Sequence, residues 1–202
     1  VFFGDILSIY LTNTKYNMEI NQDGSDNDIY MGTSQGNNVQ FVLSEKTGEK
    51  FLDYMPVQYG SRVVISIPGT TLAATVDTDS QTLQWKPSNA MISIPSATFT
   101  ILPVNTKSHK IGDILAYGDG FILESHAGAS LFVSKDKTFG FLTTVYQNQE
   151  QVSPDPNFVF KCESKMIGWY CDNGQCKMVP IRGIDKNGIK GRYKNSPVYR
   201  NK

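Results

Sequence analysis

Gly4-Asp-Ile-Leu-Ser-Ile-Tyr-Leu11 decides the reading of this chain, because Gly112-Asp-Ile-Leu-Ala-Tyr117 repeats its first four residues. Between them lies a third version, Gly60-Ser-Arg-Val-Val-Ile-Ser-Ile67, so that the openings stand 56 and 52 residues apart. Each opening has a matching close: Val39-Gln-Phe-Val-Leu43, Ala97-Thr-Phe-Thr-Ile-Leu102 and Asn157-Phe-Val-Phe160. The closing phenylalanines Phe41, Phe99 and Phe158 recur after 58 and 59 residues. Self-similarity at a near-constant period marks a repeat architecture and has to be read before any single element.

Short strand-like runs bounded by Gly, Asn, Asp, Ser or Pro fill each block. The first block reads 5–11, 16–20, 28–32 and 39–43, and the second 62–67, 71–76, 82–86 and 97–102. The third reads 112–116, 121–124, 129–134 and 157–160, with 138–143 as an additional candidate. In Tyr16-Asn-Met-Glu-Ile20 every second side chain is apolar, the period that turns one face of a strand inward and the other to water. No window of ten residues sustains a 3.6-residue apolar stripe, so the chain is expected to be all-β. Ile6, Phe41, Val64, Phe99, Ile114 and Phe158 are the expected core.

Three blocks of about 50 residues with four strands each resemble the β-trefoil, and the resemblance spans residues 4 to 162. It implies six strands closed into a barrel and six more forming a cap of hairpins, an arrangement without exposed edges. A β-sandwich is the rival arrangement, but it does not require threefold recurrence. A chain of 202 residues fits one such body plus an extension. Nineteen basic and nineteen acidic side chains cancel, and the apolar content is ordinary, which excludes global disorder. No apolar run approaches the length of a membrane-spanning helix. The opening Val1-Phe2-Phe3 carries Asp5 just behind it and reads as strand rather than as a signal remnant.

Past the repeats the sequence changes character, and the expected division is a 1–162 trefoil body, a 163–181 hairpin and a 182–202 basic tail. Asn173-Gly174 is the strongest short hairpin signal, since both residues accept positive φ. Cys171 and Cys176 bracket that turn and face each other across the two strands, within reach of a disulfide at a non-hydrogen-bonded pair. Cys162 is then left unpaired. The tail carries Arg182, Lys186, Lys190, Arg192, Lys194, Arg200 and Lys202 against the single acid Asp185, a net +6, and leaves −6 on residues 1–181. Such a segment reads as an extended arm that takes order from an acidic partner surface.

Catalytic constellations are not found. His109 and His126 stand in polar or Gly-rich surroundings, and no serine lies in a Gly-x-Ser-x-Gly elbow. The three cysteines lack the spacing and the histidine of a zinc site. Asp23-Gly-Ser-Asp26-Asn-Asp28 imitates a calcium loop but has Ser34 where the bidentate Glu belongs, and so reads as a polar turn. Gly118-Asp-Gly120 reads as a hairpin turn. Sugar-binding trefoils carry Gln-x-Trp, whereas this chain has only Gln84-Trp85. No catalytic residue, metal or cofactor is therefore expected.

The richness in Asn, Ile, Tyr and Lys, together with the Cys-x4-Cys hairpin, resembles minor capsid and virion proteins of large DNA viruses. That resemblance implies a non-enzymatic structural protein of the virion, whose partners are other subunits held through the hairpin and the arm. A lectin-like trefoil that binds glycans is the alternative. Nucleic acid is disfavoured, because Tyr193 and Tyr199 are the arm's only stacking side chains.

Overall fold

A computed structural model describes residues 1–20, 28–32, 38–43, 55–77, 79–87, 95–136, 139–145, 156–164, 167–172 and 175–180. Within them the first block holds β1 (Leu7–Leu11), β2 (Asn17–Ile20), β3 (Ile29–Gly32) and β4 (Gln40–Leu43). The second holds β5 (Arg62–Ser66), β6 (Leu72–Val76), β7 (Leu83–Pro87) and β8 (Phe99–Pro103). The third holds β9 (Phe121–Ser125), β10 (Ser130–Asp136), β11 (Phe139–Val145) and β12 (Phe160–Ser164). Beyond them β13 (Ile167–Asp172) and β14 (Gln175–Pro180) form a two-stranded sheet. The chain is all-β and antiparallel; the helical turns among the described residues are two three-residue 3-10 segments, Pro95–Ala97 and Pro156–Phe158.

The pairings run from β1 to β12, then to β9, β8, β5 and β4. They come back to β1 through reciprocal Leu7–Val39 backbone bonds of 2.9 Å each. The remaining strands pair as the hairpins β2–β3, β6–β7 and β10–β11. Corresponding positions carry the core. Leu7, Val63 and Phe121 are the first inward residues of the first strand of each block, Ile9, Ile65 and Leu123 follow two residues on, and all six are fully buried. From the closing strands come Phe41, Ile101 and Cys162, also fully buried. Phe121 meets the edge of Phe41 at 6.2 Å and tilts against Phe160 at 6.4 Å, joining the first and third blocks, and the buried residues of all three blocks form one cluster.

Several sequence expectations shift. Residues 112–116 are not a strand: Ile114 makes a single bridge to Gln58, and the first strand of the third block is β9. The additional candidate at 138–143 is instead a full member, β11. The closing phenylalanines are not equivalent, because the residues facing Leu7, Val63 and Phe121 are Val39, Phe99 and Phe160. Phe158 lies two residues earlier, in a 3-10 turn, where it is buried against Phe132 at 4.8 Å. Ile6 and Ile114 are 37 % and 39 % exposed and Val64 is half-buried, so the inward set is one residue away, at Leu7, Leu115 and Val63. A one-residue slip exchanges the two faces of a strand, and here the turn before each strand fixes which face is inward.

Candidate functional site

One end of the sheet is built from three copies of the same turn. Phe2–Asp5, Gln58–Ser61 and Ala116–Asp119 are each closed by a backbone bond from the fourth residue to the first, of 3.2, 2.9 and 3.2 Å. In each, the fourth side chain also accepts the first residue's N–H: Asp5 Oδ2 at 2.8 Å, Ser61 Oγ at 3.0 Å and Asp119 Oδ2 at 3.2 Å. The third residue is Gly4, Gly60 or Gly118, with φ of 82°, 93° and 86°, a position in a type II turn that side chains resist. The glycine N–H then donates to Phe41, Ile101 or Cys162 of a closing strand.

Ahead of each turn stands a buried apex residue, and the three apices bond in a cycle. Val57 N–H donates to Val1 O, Leu115 N–H to Val57 O, and the Val1 nitrogen to Leu115 O, each at 2.9 Å. Aromatic residues brace the mouth around this triangle. The Tyr117 hydroxyl donates to Asp5 Oδ2 at 2.6 Å, and the Tyr59 hydroxyl to Gly120 O at 3.0 Å. Burial pushes both phenols above their usual range, and for Tyr117 the bond to Asp5 adds to that shift. Apolar side chains are left at the rim: Ile6, Met55, Ile111 and Ile114 are exposed.

A fourth copy of the turn occurs at Lys110–Asp113, closed at 3.0 Å, with Asp113 Oδ2 accepting from Lys110 N–H at 2.8 Å and Gly112 at φ 94°. The recurrence of Gly-Asp-Ile-Leu at 112 is this extra turn. The third opening is Tyr117-Gly118-Asp119, so openings recur after 56 and 58 residues rather than 56 and 52. An aromatic residue before the glycine, as in Phe3-Gly4-Asp5, Tyr59-Gly60-Ser61 and Tyr117-Gly118-Asp119, is the signal that separates the three openings from the extra copy. Gly118-Asp-Gly120 is accordingly a turn that starts β9, not a hairpin turn.

The hairpin leaves from the same end. Ser164, the last residue of β12, faces Leu7 at the start of β1, and β13 begins three residues later. In that hairpin Asp172 faces Gln175, leaving two residues for the turn, and Cys171 faces Cys176. In a two-residue hairpin the pair flanking the turn exchanges hydrogen bonds, which makes the next pair, the cysteines, the non-hydrogen-bonded kind with the closer Cα atoms. The side chains of Cys171 and Cys176 lie outside the described residues. Cys162 is a free thiol buried in the core opposite Ile9, and burial pushes it up to about 12. Arg182, Lys186, Lys190, Arg192, Lys194, Arg200 and Lys202 lie outside the described residues, as do Asp23 and Asp26.

Other residues singled out in the sequence have structural surroundings. Trp85 is 2 % exposed, so its ring packs in the core and cannot lie flat on a sugar. Gln84 instead donates to Asp28 Oδ1 at 2.8 Å, tying β7 to the start of β3. His109 packs against Tyr59 at 5.1 Å with the rings tilted by 38°, and His126 sits exposed in the turn between β9 and β10.

No protein-family model and no curated protein matches the chain. Solved structures do. The SDF2-like protein from Arabidopsis thaliana superposes with a TM-score of 0.62 at 10 % identity, over 80 % of this chain and 93 % of that one. The S. cerevisiae protein O-mannosyltransferase Pmt1–Pmt2 complex, bound to its sugar donor, gives 0.61 at 13 % identity, over 81 % of this chain and 25 % of that one. Cry35Ab1 gives 0.52 at 10 % identity, over 97 % of this chain and 43 % of that one. At such identities the likeness shows the fold alone: an all-β chain resembling β-trefoil-like proteins.

Proposed function

We propose that this chain is a non-enzymatic interaction protein: a β-trefoil body that docks into a larger assembly through its C-terminal hairpin and basic arm. The trefoil assignment is supported by the cycle of six outer strands and by the three equivalent turns at its mouth. The docking role is carried by one observation, the exit of the chain. β12 ends at the mouth, where Ser164 faces Leu7, and the hairpin that follows turns back so that Pro180 faces Ile167. In sequence the +6 arm follows that strand end, and the rest of the chain carries −6, which supports a docking role for it. The Cys171–Cys176 bridge would hold that hairpin in shape, contributing about 2 kcal/mol through so short a loop.

The finer reading, a minor capsid or other virion-associated subunit, is supported by the composition and the Cys-x4-Cys hairpin, and the compared proteins add nothing to it. In that setting its partners are neighbouring subunits and its place is the virion. The glycan-binding alternative loses Trp85, the one residue that echoed a sugar-binding signature.

Arm-dependent co-assembly is the test. The native chain should sediment with a large particle at low salt and leave it as salt rises, because exposed charge pairs are screened. Replacing Lys190, Arg192 and Lys194 together by Glu should keep the chain out of the particle. A native chain that is free at every salt concentration, and that binds one sugar class on a glycan array, would move the function to the lectin reading. Mass mapping without reduction should link Cys171 to Cys176 and leave Cys162 alkylated only after unfolding.

A further inference from the structure

Large apolar side chains left in water gather at one place on this molecule. Among the described residues they are Ile6, Tyr16, Met55, Ile111 and Ile114, and all but Tyr16 ring the apex triangle. Ile6 follows the first turn, and Met55 stands two residues before the apex Val57. Ile114 directly precedes the apex Leu115, and Ile111, 63 % exposed, lies against Gly60 of the second turn. Tyr16 is beyond the far end of β1. Single exposed hydrophobics are ordinary, but a cluster of them marks a surface that another molecule covers.

We propose that the mouth is a self-association surface whose occupant is the mouth of a second copy of this chain. Charge selects that occupant. On one side of the triangle stand the carboxylates of Asp5 and Asp119, whose turns are joined by the Tyr117 hydroxyl bond to Asp5. The second turn is the remaining corner. There Arg62 opens β5, and the segment packed over that turn exposes Lys107 and Lys110 beside the single acid Asp113. Among the described residues the two sides therefore carry −2 and +2. A two-fold axis through the triangle lays each copy's acidic side on the other's basic side, with the exposed apolar side chains between them. A partner of one sign would meet half of this surface with like charge.

The platform is fixed before a partner arrives. Ile111 and Ile114 belong to a segment tied to its neighbours by Gly112 N–H to Tyr59 O at 2.8 Å and Tyr59 N–H to Asp113 O at 3.0 Å. Leu115 N–H to Val57 O at 2.9 Å closes the same segment, and the Tyr59 hydroxyl is itself held by Gly120 O. A preformed surface has little conformational freedom left to lose on binding. The inference requires neither the hairpin nor the arm.

Sedimentation velocity of the full chain tests this. The native chain should be a dimer at about 100 µM and dissociate on dilution toward about 1 µM, as small interfaces do. Ile111→Asp should be monomeric throughout, with an unchanged melting curve because that side chain is already solvated. Lys110→Glu acts twice in a two-fold interface and should weaken the dimer at least about fivefold at low salt. Lys15→Glu, exposed beyond the far end of β1, should change it by less than about twofold. The K190E/R192E/K194E variant should dimerise like the native chain. A native chain that is monomeric at every concentration overturns the proposal, and so does a trimer or larger ring. Dimers that survive Ile111→Asp, or that fail on charge reversal in the arm, place the contact elsewhere and overturn it as well.

Discussion

Gly4-Asp-Ile-Leu7 and Gly112-Asp-Ile-Leu115 are the same four residues, and the molecule uses them differently. Both form the same turn, with positive φ at the glycine and a carboxylate accepting from three residues back. Both turn isoleucine out and leucine in: Ile6 and Ile114 are exposed, while Leu7 and Leu115 are fully buried. After Leu7 comes Ser-Ile-Tyr-Leu, an alternating run that continues as β1. After Leu115 comes Ala-Tyr-Gly-Asp-Gly, a second turn that cancels the strand and starts β9 six residues later, at Phe121. The turn chemistry fixes the facing of its neighbours, and the residues downstream fix whether a strand follows.

The comparison can be broken most forcefully in the core. Phe99→Ala removes a fully buried ring from β8, whose strand pairs with both β5 and β9, and should cost about 3–5 kcal/mol by urea or thermal unfolding. Leu7→Ala and Leu115→Ala should each cost about 2–5 kcal/mol. If only the strand copy were costly, the shared inward facing would carry no weight. Among the turns, Gly60→Ala should cost about 1–3 kcal/mol, because φ is +93° and the new Cβ would meet Ile111 Cγ2 at 2.7 Å. Gly112→Ala has open space around it and should cost only the conformational part, about 1 kcal/mol. Equal losses at the two sites would dismiss the Ile111 contact.

Alkali separates the third block from the other two, because Cys162 stands where they have Phe41 and Ile101. The buried thiol titrates at about 12 when folded and near 9.0 otherwise. A raised folded value means that its contribution is complete below the unfolded pKa and is lost as pH climbs. Stability should therefore fall by about 1 kcal/mol between pH 9 and 10. Tyr59 and Tyr117, both raised, add a loss of the same sign above about pH 10. In Cys162→Val the onset in a series of melting curves should move from about pH 9 to about pH 10; an unmoved onset assigns the loss elsewhere. The smallest effect is expected from Ile114→Ala, within about 0.5 kcal/mol in unfolding experiments.

Much of this was legible in the residues. Period two in Met18-Glu-Ile20, the Gly-bounded runs and Asn173-Gly174 located most strands and placed Cys171 opposite Cys176. The third block was misread because Gly112-Asp-Ile-Leu is the better copy by identity, while Tyr117-Gly118-Asp119 is the better copy by bonding. Letters record which turn forms but not which closing strand receives the glycine N–H. The burial of Trp85 was equally hidden, since Gln84-Trp85 alternates as any half-buried strand does and only the opposing hairpin decides which face is covered. The mouth itself has no local signature, because its defining bonds join residues 56, 58 and 114 apart.

Those three bonds have a consequence for how the molecule comes into being. In the triangle of Val1, Val57 and Leu115, each block gives one donor and one acceptor, always to a different block. No block can satisfy its own apex, so a nascent chain holding two of them still has an open donor and an open acceptor. Completion waits for the last third of the sequence and for loops whose closure is entropically costly. Folding should then be a single cooperative event on the millisecond-to-second scale of non-local β topologies. A fragment ending before Leu115 should gain order only when the missing third is supplied in trans.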